Sequence, residues 1–548
     1  MKTVIAFLVL LCASALAAQV SETIDVRIVN VDVTVTSKGG PVRGLTRDDF
    51  DIFEDGRRQP ITNFYSSGET QTAAAATSAG RSATPAAAPE QDPRFRRKVL
   101  VLVDNNHTTR HSRDAALRQL EAMINDRFHG DYEWSIGAIG RGLTLVLPLS
   151  SDKAAIHEAL EIIRRAGTRA EGASTFAGVA DRGGLALTSS ETKLTGMHVF
   201  DSDYAARLDQ AVASDSAERA IAAQFTAQPI LDAARGFSGT SGRKIVLLLT
   251  GDPGLNDIDL VEHGGEGFNV RGVSTGRSDR SNEIQFDQRT IGNIRKSIVQ
   301  EANASDVSFY IWNVEGLTPM GNVGDSGSQT SSPATNTSAV FWLANETGGR
   351  LVTGNDPARA VQEFDTASSS FYSLGYSPTH PDDGKYHQLS VRLKRKGDYK
   401  LEYRTGYSSS PTSKQLERAM KSPTAAAMQA TGLPVTLAMG APAADRGDVA
   451  VSFEVKVPFR ALQFMPGKAG VAANLVLYVS VFNEIGKNLV ATSIPLTPGF
   501  RSGTPDLNGN LVYRNTLKLS KGERSRVVVA VRDTVTDSIG MATEVVRF

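Results

Sequence analysis

Two hydrophobic patterns alternate along this chain and divide it into parts. Between Ile24 and Val35 apolar residues occupy every second position: Ile24, Val26 and Ile28, then Val29, Val31, Val33 and Val35 on the other parity. A period of two marks a strand with one buried face, and the parity change at Ile28/Val29 predicts a bulge or bend. Asp55-Gly56 is a hairpin signal between Phe50–Glu54 and Gln59–Tyr65. From Lys98 the pattern changes. "KVLVLVD" and "RKIVLLLTGD" are unbroken apolar runs, expected of strands buried on both faces. Helical periodicity lies between the strands, as in "SRDAALRQLEAMINDRF", "SDKAAIHEALEIIRRAG" and "IGNIRKSIVQEANASD". "YEWSIGAIG", "LTLVLPLS", "VSFYIWNVE" and "GRLVTG" supply further strands. Such alternation predicts a doubly wound, mainly parallel sheet covered by helices on both faces. After Phe371 the strand period returns in "FYSLGYSP", "KYHQLSVRLKR" and "DYKLEYRTGY", and again beyond Leu433 in "VAVSFEVKVPF", "ANLVLYVSVFN" and "RSRVVVAVRD".

These changes set the expected organisation. Residues 22–66 and 370–408 are each too small to fold alone, so they are expected to meet as one β-sandwich. The α/β domain, 96–369, is then an insertion between its strands. Residues 69–95 are rich in Ala, Ser, Thr and Pro and are expected to be a disordered linker, and 409–431 a second linker. Residues 432–548 are expected to form a C-terminal β-sandwich. Lys2, the apolar run Val4–Cys12 and the small-residue site Ala15-Leu16-Ala17 predict a cleaved signal peptide over 1–17. The protein is therefore expected to be exported, to periplasm, cell surface or medium. No other segment is apolar enough for a membrane span.

Composition narrows the partners. The 548 residues balance 59 basic against 59 acidic side chains, so no nucleic-acid partner is expected. The single cysteine, Cys12, lies in the signal. The mature chain is expected to have no disulfide, no thiolate metal site and no cysteine nucleophile.

Candidate chemistry gathers where buried strands end, because open α/β sheets bind ligands at the C-terminal ends of their strands. The first run ends in Asp104, followed by Asn105, Asn106, His107, Thr108 and Thr109. The second ends in Thr250 and Asp252, and the loop "GTRAEGASTF" adds Ser174 and Thr175. Carboxylates and hydroxyls at such a crevice suit Mg²⁺, a hard cation that takes oxygen ligands and keeps several waters. The same residues also suit capping of the following helix, with Asp104 hydrogen-bonded inside its loop. His107 and His111 are four apart but lack an intervening carboxylate and straddle a loop, so zinc is not expected there. Nothing supplies a nucleophile and base in a recognisable context, and the chain is not expected to be an enzyme.

The stretch "VNVDVTVTSKGGPVRGLTRDDFDIFEDGRRQPITNFYS", together with "LANETGGRL" and "FYSLGYSPTHPDDGKYHQLSVRLKRKGDYKLEYRTGY", resembles the secreted bacterial VWFA-related domain proteins. These are von Willebrand factor A (vWA) proteins abundant in acidobacteria, and the resemblance covers about residues 22–408. It implies a metal-ion-dependent adhesion site of the pattern Asp-x-Ser-x-Ser, a later Thr and a final Asp. Carried over, Asp104 is the first Asp, Asn106 and Thr108 stand for the two serines, Thr175 is the Thr and Asp252 the last Asp. Asn106 departs from the pattern, and "TGDPG" places Asp252 one residue later than the usual "TDG". The resemblance implies Mg²⁺, or Mn²⁺ or Ca²⁺, and a protein partner whose carboxylate completes the ion's shell. The function expected is thus an exported binding or adhesion protein. The alternatives are a metal-independent structural or assembly component of the cell envelope and a hydrolase acting on envelope material.

Overall fold

The computed structural model describes residues 28–67 except 39, 97–168 except 127–131 and 141, 226–255 except 241, 252 and 254, 277–315, 338–425 except 353–355 and 381, and 432–547 except 446–447, 468–469, 485, 501–506, 521 and 523. The expected signal at 1–17 and linker at 69–95 lie outside the described residues.

The strand Val29–Ser37 buries Val29, Val31, Val33 and Val35 along one side, as a period of two requires. It pairs antiparallel with Tyr372–Tyr376, although the whole α/β segment separates them in sequence. Lys400–Glu402 and Asn63–Ser66 complete this sheet at its two edges. A second sheet runs Gly406–Ser408, Tyr386–Leu393, Phe50–Glu54, Arg57–Gln59. It contributes Phe50, Ile52, Leu389 and Val391 to a core shared with the valines, Tyr372 and Leu374. Asp55 and Gly56 both take positive φ, 47° and 78°, the turn that suits a two-residue hairpin. The second arm of that hairpin departs from the expected Gln59–Tyr65. It is split into Arg57–Gln59 and Asn63–Ser66, one strand in each sheet. Pro60 accounts for the split: it has no N–H for a ladder, so the chain leaves one sheet there and crosses to the other.

The α/β segment leaves and re-enters this sandwich at neighbouring strand ends. Ser66 faces Tyr372 in the ladder, and the Ser67 hydroxyl donates to the Ser369 carbonyl at 2.8 Å. Between these points lies a six-stranded sheet in the order Arg350–Val352, Val307–Asn313, Arg243–Thr250, Arg97–Asp104, Tyr132–Ile139, Leu143–Ser150. Neighbours are parallel except the last pair. Val99, Val101 and Val103 face the helices Arg110–Asp126, Lys153–Arg165 and Pro357–Ser369. Leu100 and Leu102 face residues 226–236, Arg277–Ser305 and Ser338–Glu346 on the other side. Burial from both faces is why the central strands read as unbroken apolar runs. The helix Arg277–Ser305 starts inside a stretch whose polarity suggests an insertion up to about residue 288. No Gly or Pro interrupts Arg277–Ile291, so a helix nucleated downstream propagates into it.

Charged pairs join the lower edge of the parallel sheet to the sandwich. Arg350 donates two hydrogen bonds to the buried Glu402 carboxylate, Nη2 at 2.7 Å and Nε at 3.0 Å. Arg404 reaches Asp306 at 2.8 Å, and Arg243 lies 3.7 Å from Asp32. Arg243 begins its strand, so the C-terminal ends of the parallel strands point away from the sandwich.

The C-terminal part has one sheet of Thr436–Asp445, Asp448–Pro458 and Asn510–Ser520, and another of Asn488–Leu496, Leu475–Phe482, Arg524–Asp533 and Ile539–Arg547. Alternate residues of Asp448–Pro458, from Val449 to Val457, enter a core with Leu477, Val479 and Val529. The segment 409–431, expected as a linker, contains the helix Thr412–Ala419. Its Leu416 and Ala419, with Met420, pack on Tyr478, Phe482 and Val528 of the outer sheet face. Ser422 donates to the Asp232 carbonyl at 2.6 Å, and Ser480 donates to that of Met420 at 2.7 Å. The Ser/Pro/Thr/Ala content hides an amphipathic turn, "KQLERAM", whose apolar side matters only once the outer sheet face is there to receive it.

Candidate functional site

Three parallel strands end side by side on the edge remote from the sandwich, and each ends in polar groups. Asp104 follows Val103 and is fully buried. Its Oδ2 accepts from the Thr250 hydroxyl at 2.8 Å and lies 2.8 Å from His107 Nδ1. Its Oδ1 accepts from the Asn106 backbone N–H at 3.0 Å. The Thr108 hydroxyl donates to the Asp104 carbonyl at 2.6 Å. Asn106 donates through Nδ2 to the Gly140 carbonyl at 2.9 Å, which leaves its Oδ1 buried without a hydrogen-bond partner. Such an orphaned acceptor is costly unless something fills the place opposite it.

Neighbouring residues close this loop. Gly251 N–H donates to the His107 carbonyl at 3.0 Å. A Cβ at Gly251 would fall 2.3 Å from that oxygen and 2.8 Å from Glu315 Cγ, so the approach requires glycine. The Glu315 carboxylate accepts from Thr109 N–H at 2.7 Å and from the Ser112 hydroxyl at 3.1 Å. It thereby places negative charge at the N-terminal end of the helix Arg110–Asp126, where the helix dipole favours it. Arg113 is fully buried beneath and donates to Asn105 Oδ1 and to the carbonyls of Arg164 and Ala166.

Of the residues singled out in the sequence, Asp104, Asn106 and Thr108 share this one loop. Thr108 has its hydroxyl committed to the backbone. Thr175 and Asp252 lie outside the described residues. His107 turns to Asp104, whereas His111 is exposed. Glu315 was not singled out, yet the strand-end rule that marks Asp104 also marks it, two residues beyond Asn313.

A second polar cluster lies in the sandwich. Glu54 ends its strand, 4% exposed, and its Oε1 accepts from the hydroxyls of Tyr376 and Tyr407, both at 2.6 Å. His380 Nε2 lies 3.3 Å from the same oxygen. The His380 and His387 rings stack with centroids 4.0 Å apart. His387 Nδ1 lies 2.8 Å from Asp55 Oδ2, and its Nε2 lies 3.3 Å from Asp383 Oδ1. Burial works to lower the His387 pKa, but the hydrogen bonds to Asp55 and Asp383 outweigh it and hold it above the usual value. The Lys385 backbone N–H first, with His387 and the Lys385 side chain adding, pulls Asp383 down to about 2. Burial, reinforced by the Glu54 carboxylate, pushes the Tyr376 hydroxyl well above the usual tyrosine range. Ligand atoms of Glu54, His380 and His387 all lie within 4.8 Å of one another, an arrangement that can hold a metal ion. Sequence reading missed it because the three residues come from a strand end, a loop and another strand, without a spacing motif.

No family model matches the chain, and no curated protein does. Among solved structures, an aerotolerance-related membrane protein of Bacteroides fragilis is similar at 10% identity over 50% of this chain and 98% of its own, with a TM-score of 0.25. A calcium-binding mutant of Bacteroides uniformis beta-glucuronidase 2 matches at 13% identity over 21% of this chain, with a TM-score of 0.16, and the match spans only 13% of its length. Proximal thread matrix protein 1 of the mussel byssus matches at 10% identity over 50% of this chain and 48% of its own, with a TM-score of 0.19. Scores this low carry no argument about function. No helix among the described residues is long and apolar enough to cross a membrane.

Proposed function

We propose that this is an exported binding protein of the vWA type, which engages a protein partner at the crest of its parallel sheet with the help of a divalent cation. The observation that carries the reading is the orphaned Asn106 Oδ1, buried beside the Asp104 carboxylate where three strands end. The crest offers oxygen donors from Asp104, Asn106, Thr109, Ser112, Thr250 and Glu315, a set that suits Mg²⁺ and, with looser geometry, Mn²⁺ or Ca²⁺. Asp104 and Asn106 would hold the ion, and the ion would supply a positive point for a partner's carboxylate. Thr175 and Asp252 belong to the same proposal by their place in the sequence.

A second reading has its own support. Both Asp104 oxygens already accept hydrogen bonds, so the carboxylate also serves as an internal hub for the loop. On that reading the crest is metal-free, and the protein is a structural or assembly component of the cell envelope binding through its β-surfaces. Calorimetric titration of Mg²⁺ and Mn²⁺ into the folded chain separates the two. The proposal expects saturable binding that Asp104→Ala and Asn106→Ala abolish or weaken about tenfold or more. A folded protein that takes up neither ion refutes it and leaves the metal-free reading.

A further inference from the structure

The sandwich cluster has an electrostatic problem of its own. Glu54 is a buried carboxylate, and its neighbours Tyr376, Tyr407 and Gln59 are neutral donors. Among the described residues, His380 is the one cation-capable group within ion-pair distance of it. Buried charges are ordinarily paired or bound to metal. Asp55 and Asp383 bring two more carboxylates to His387, whose ring stacks on that of His380.

The spacing suggests how the charge is balanced. Zinc-class ions hold nitrogen and oxygen ligands at about 2.0–2.1 Å, so tetrahedral ligands lie roughly 3.3–3.4 Å from one another. His380 Nε2 to Glu54 Oε1 is 3.3 Å. Charge-assisted hydrogen bonds are shorter, about 2.7–2.9 Å. The surroundings also have the form of an outer shell. His387 can donate Nδ1–H to Asp55, which leaves Nε2 as its ligating nitrogen, and the two tyrosines fix the Glu54 carboxylate.

We propose that Glu54, His380 and His387 form a site for a borderline transition-metal ion of the zinc class, with water at the fourth position. Two imidazoles and a carboxylate favour such an ion over Mg²⁺ or Ca²⁺, which take oxygen shells. The stacked rings require one imidazole to turn about its Cβ–Cγ bond, a broad torsion in histidine. The ion would tie the hairpin end at Glu54 to the loop carrying His380 and to the strand Tyr386–Leu393, which contains His387. It would thus fasten together the two stretches of chain that flank the α/β insertion.

The test uses the full chain stripped with chelator and titrated with Co²⁺, then Zn²⁺. The expected result is one equivalent of cobalt with the visible absorption of a low-symmetry, four-coordinate site, displaced by Zn²⁺. His380→Ala and Glu54→Gln should each weaken zinc binding about tenfold or more, while Asp104→Ala, at the crest, leaves the cobalt signal intact. Glu54→Gln keeps an acceptor for Tyr376 and Tyr407, so it removes ligand charge with little loss of packing. A folded parent that takes up no cobalt overturns the proposal. So does uptake undiminished in both variants, or uptake that Asp104→Ala abolishes.

Discussion

Asp232 sits where residues 226–236 meet the segment after Thr412, and its carboxyl is the most perturbed acid at that junction. Burial pushes it up to about 7; Arg235 and a hydrogen bond from Gln228 pull the other way, and Glu301 adds to the rise. A raised folded-state pKa means that the native protein holds this proton more tightly than the unfolded chain does. The resulting stability is fully present below the ordinary value of 3.8 and is lost as pH rises through about 7. At about 1.36 kcal/mol per pH unit, the gap amounts to about 4 kcal/mol. Asp232→Asn removes the titration and keeps an acceptor for Gln228 Nε2, 2.9 Å away. Urea unfolding of parent and variant, at pH values from about 4 to about 8, reads the effect as a difference between the two curves. That difference should move in the variant's favour by about 4 kcal/mol across the range. A difference that stays constant with pH, or moves the other way, refutes the reasoning.

Two further outcomes follow from the junctions. Arg350→Ala strands the Glu402 carboxylate, 4% exposed, with Lys400 as its remaining ion-pair partner among the described residues, and should cost about 3 kcal/mol in thermal or chemical denaturation. A loss below about 1 kcal/mol would class the pair with solvent-screened surface bridges instead. Leu416→Ala empties a buried position against the outer face of the C-terminal sheet and should cost about 2–4 kcal/mol. A flexible connection at 409–425 would show almost none of that loss, and proteolysis there would be no faster in the variant.

The alternation of strands and helices between Lys98 and Ser369 was legible because its cause is local. A strand covered on both faces must be apolar throughout, and Leu100 and Val101 go to opposite cores. The period-two valines of the first strand were legible for the same reason. Where the pattern misled, the deciding partner was distant. Pro60 ended one arm of the hairpin, but the position of the next strand was set by Tyr372–Tyr376. The helix Thr412–Ala419 shows only a short apolar side, which acquires meaning from Tyr478 and Phe482.

The candidate sites divide in the same way. Asp104, Asn106 and Thr108 lie within five consecutive residues, so the sequence alone determined that their oxygens share one loop. It did not determine that Thr250 and His107 share Oδ2 of Asp104, or that Glu315 reaches the first turn of the neighbouring helix. Those contacts depend on strand order, which no periodicity encodes. Glu54 and the two histidines are further still from local prediction, separated by the entire α/β insertion. Side-chain period is fixed by backbone geometry and can be read residue by residue. Which strand lies beside which is fixed by the closure of a common core, and only the folded chain decides that.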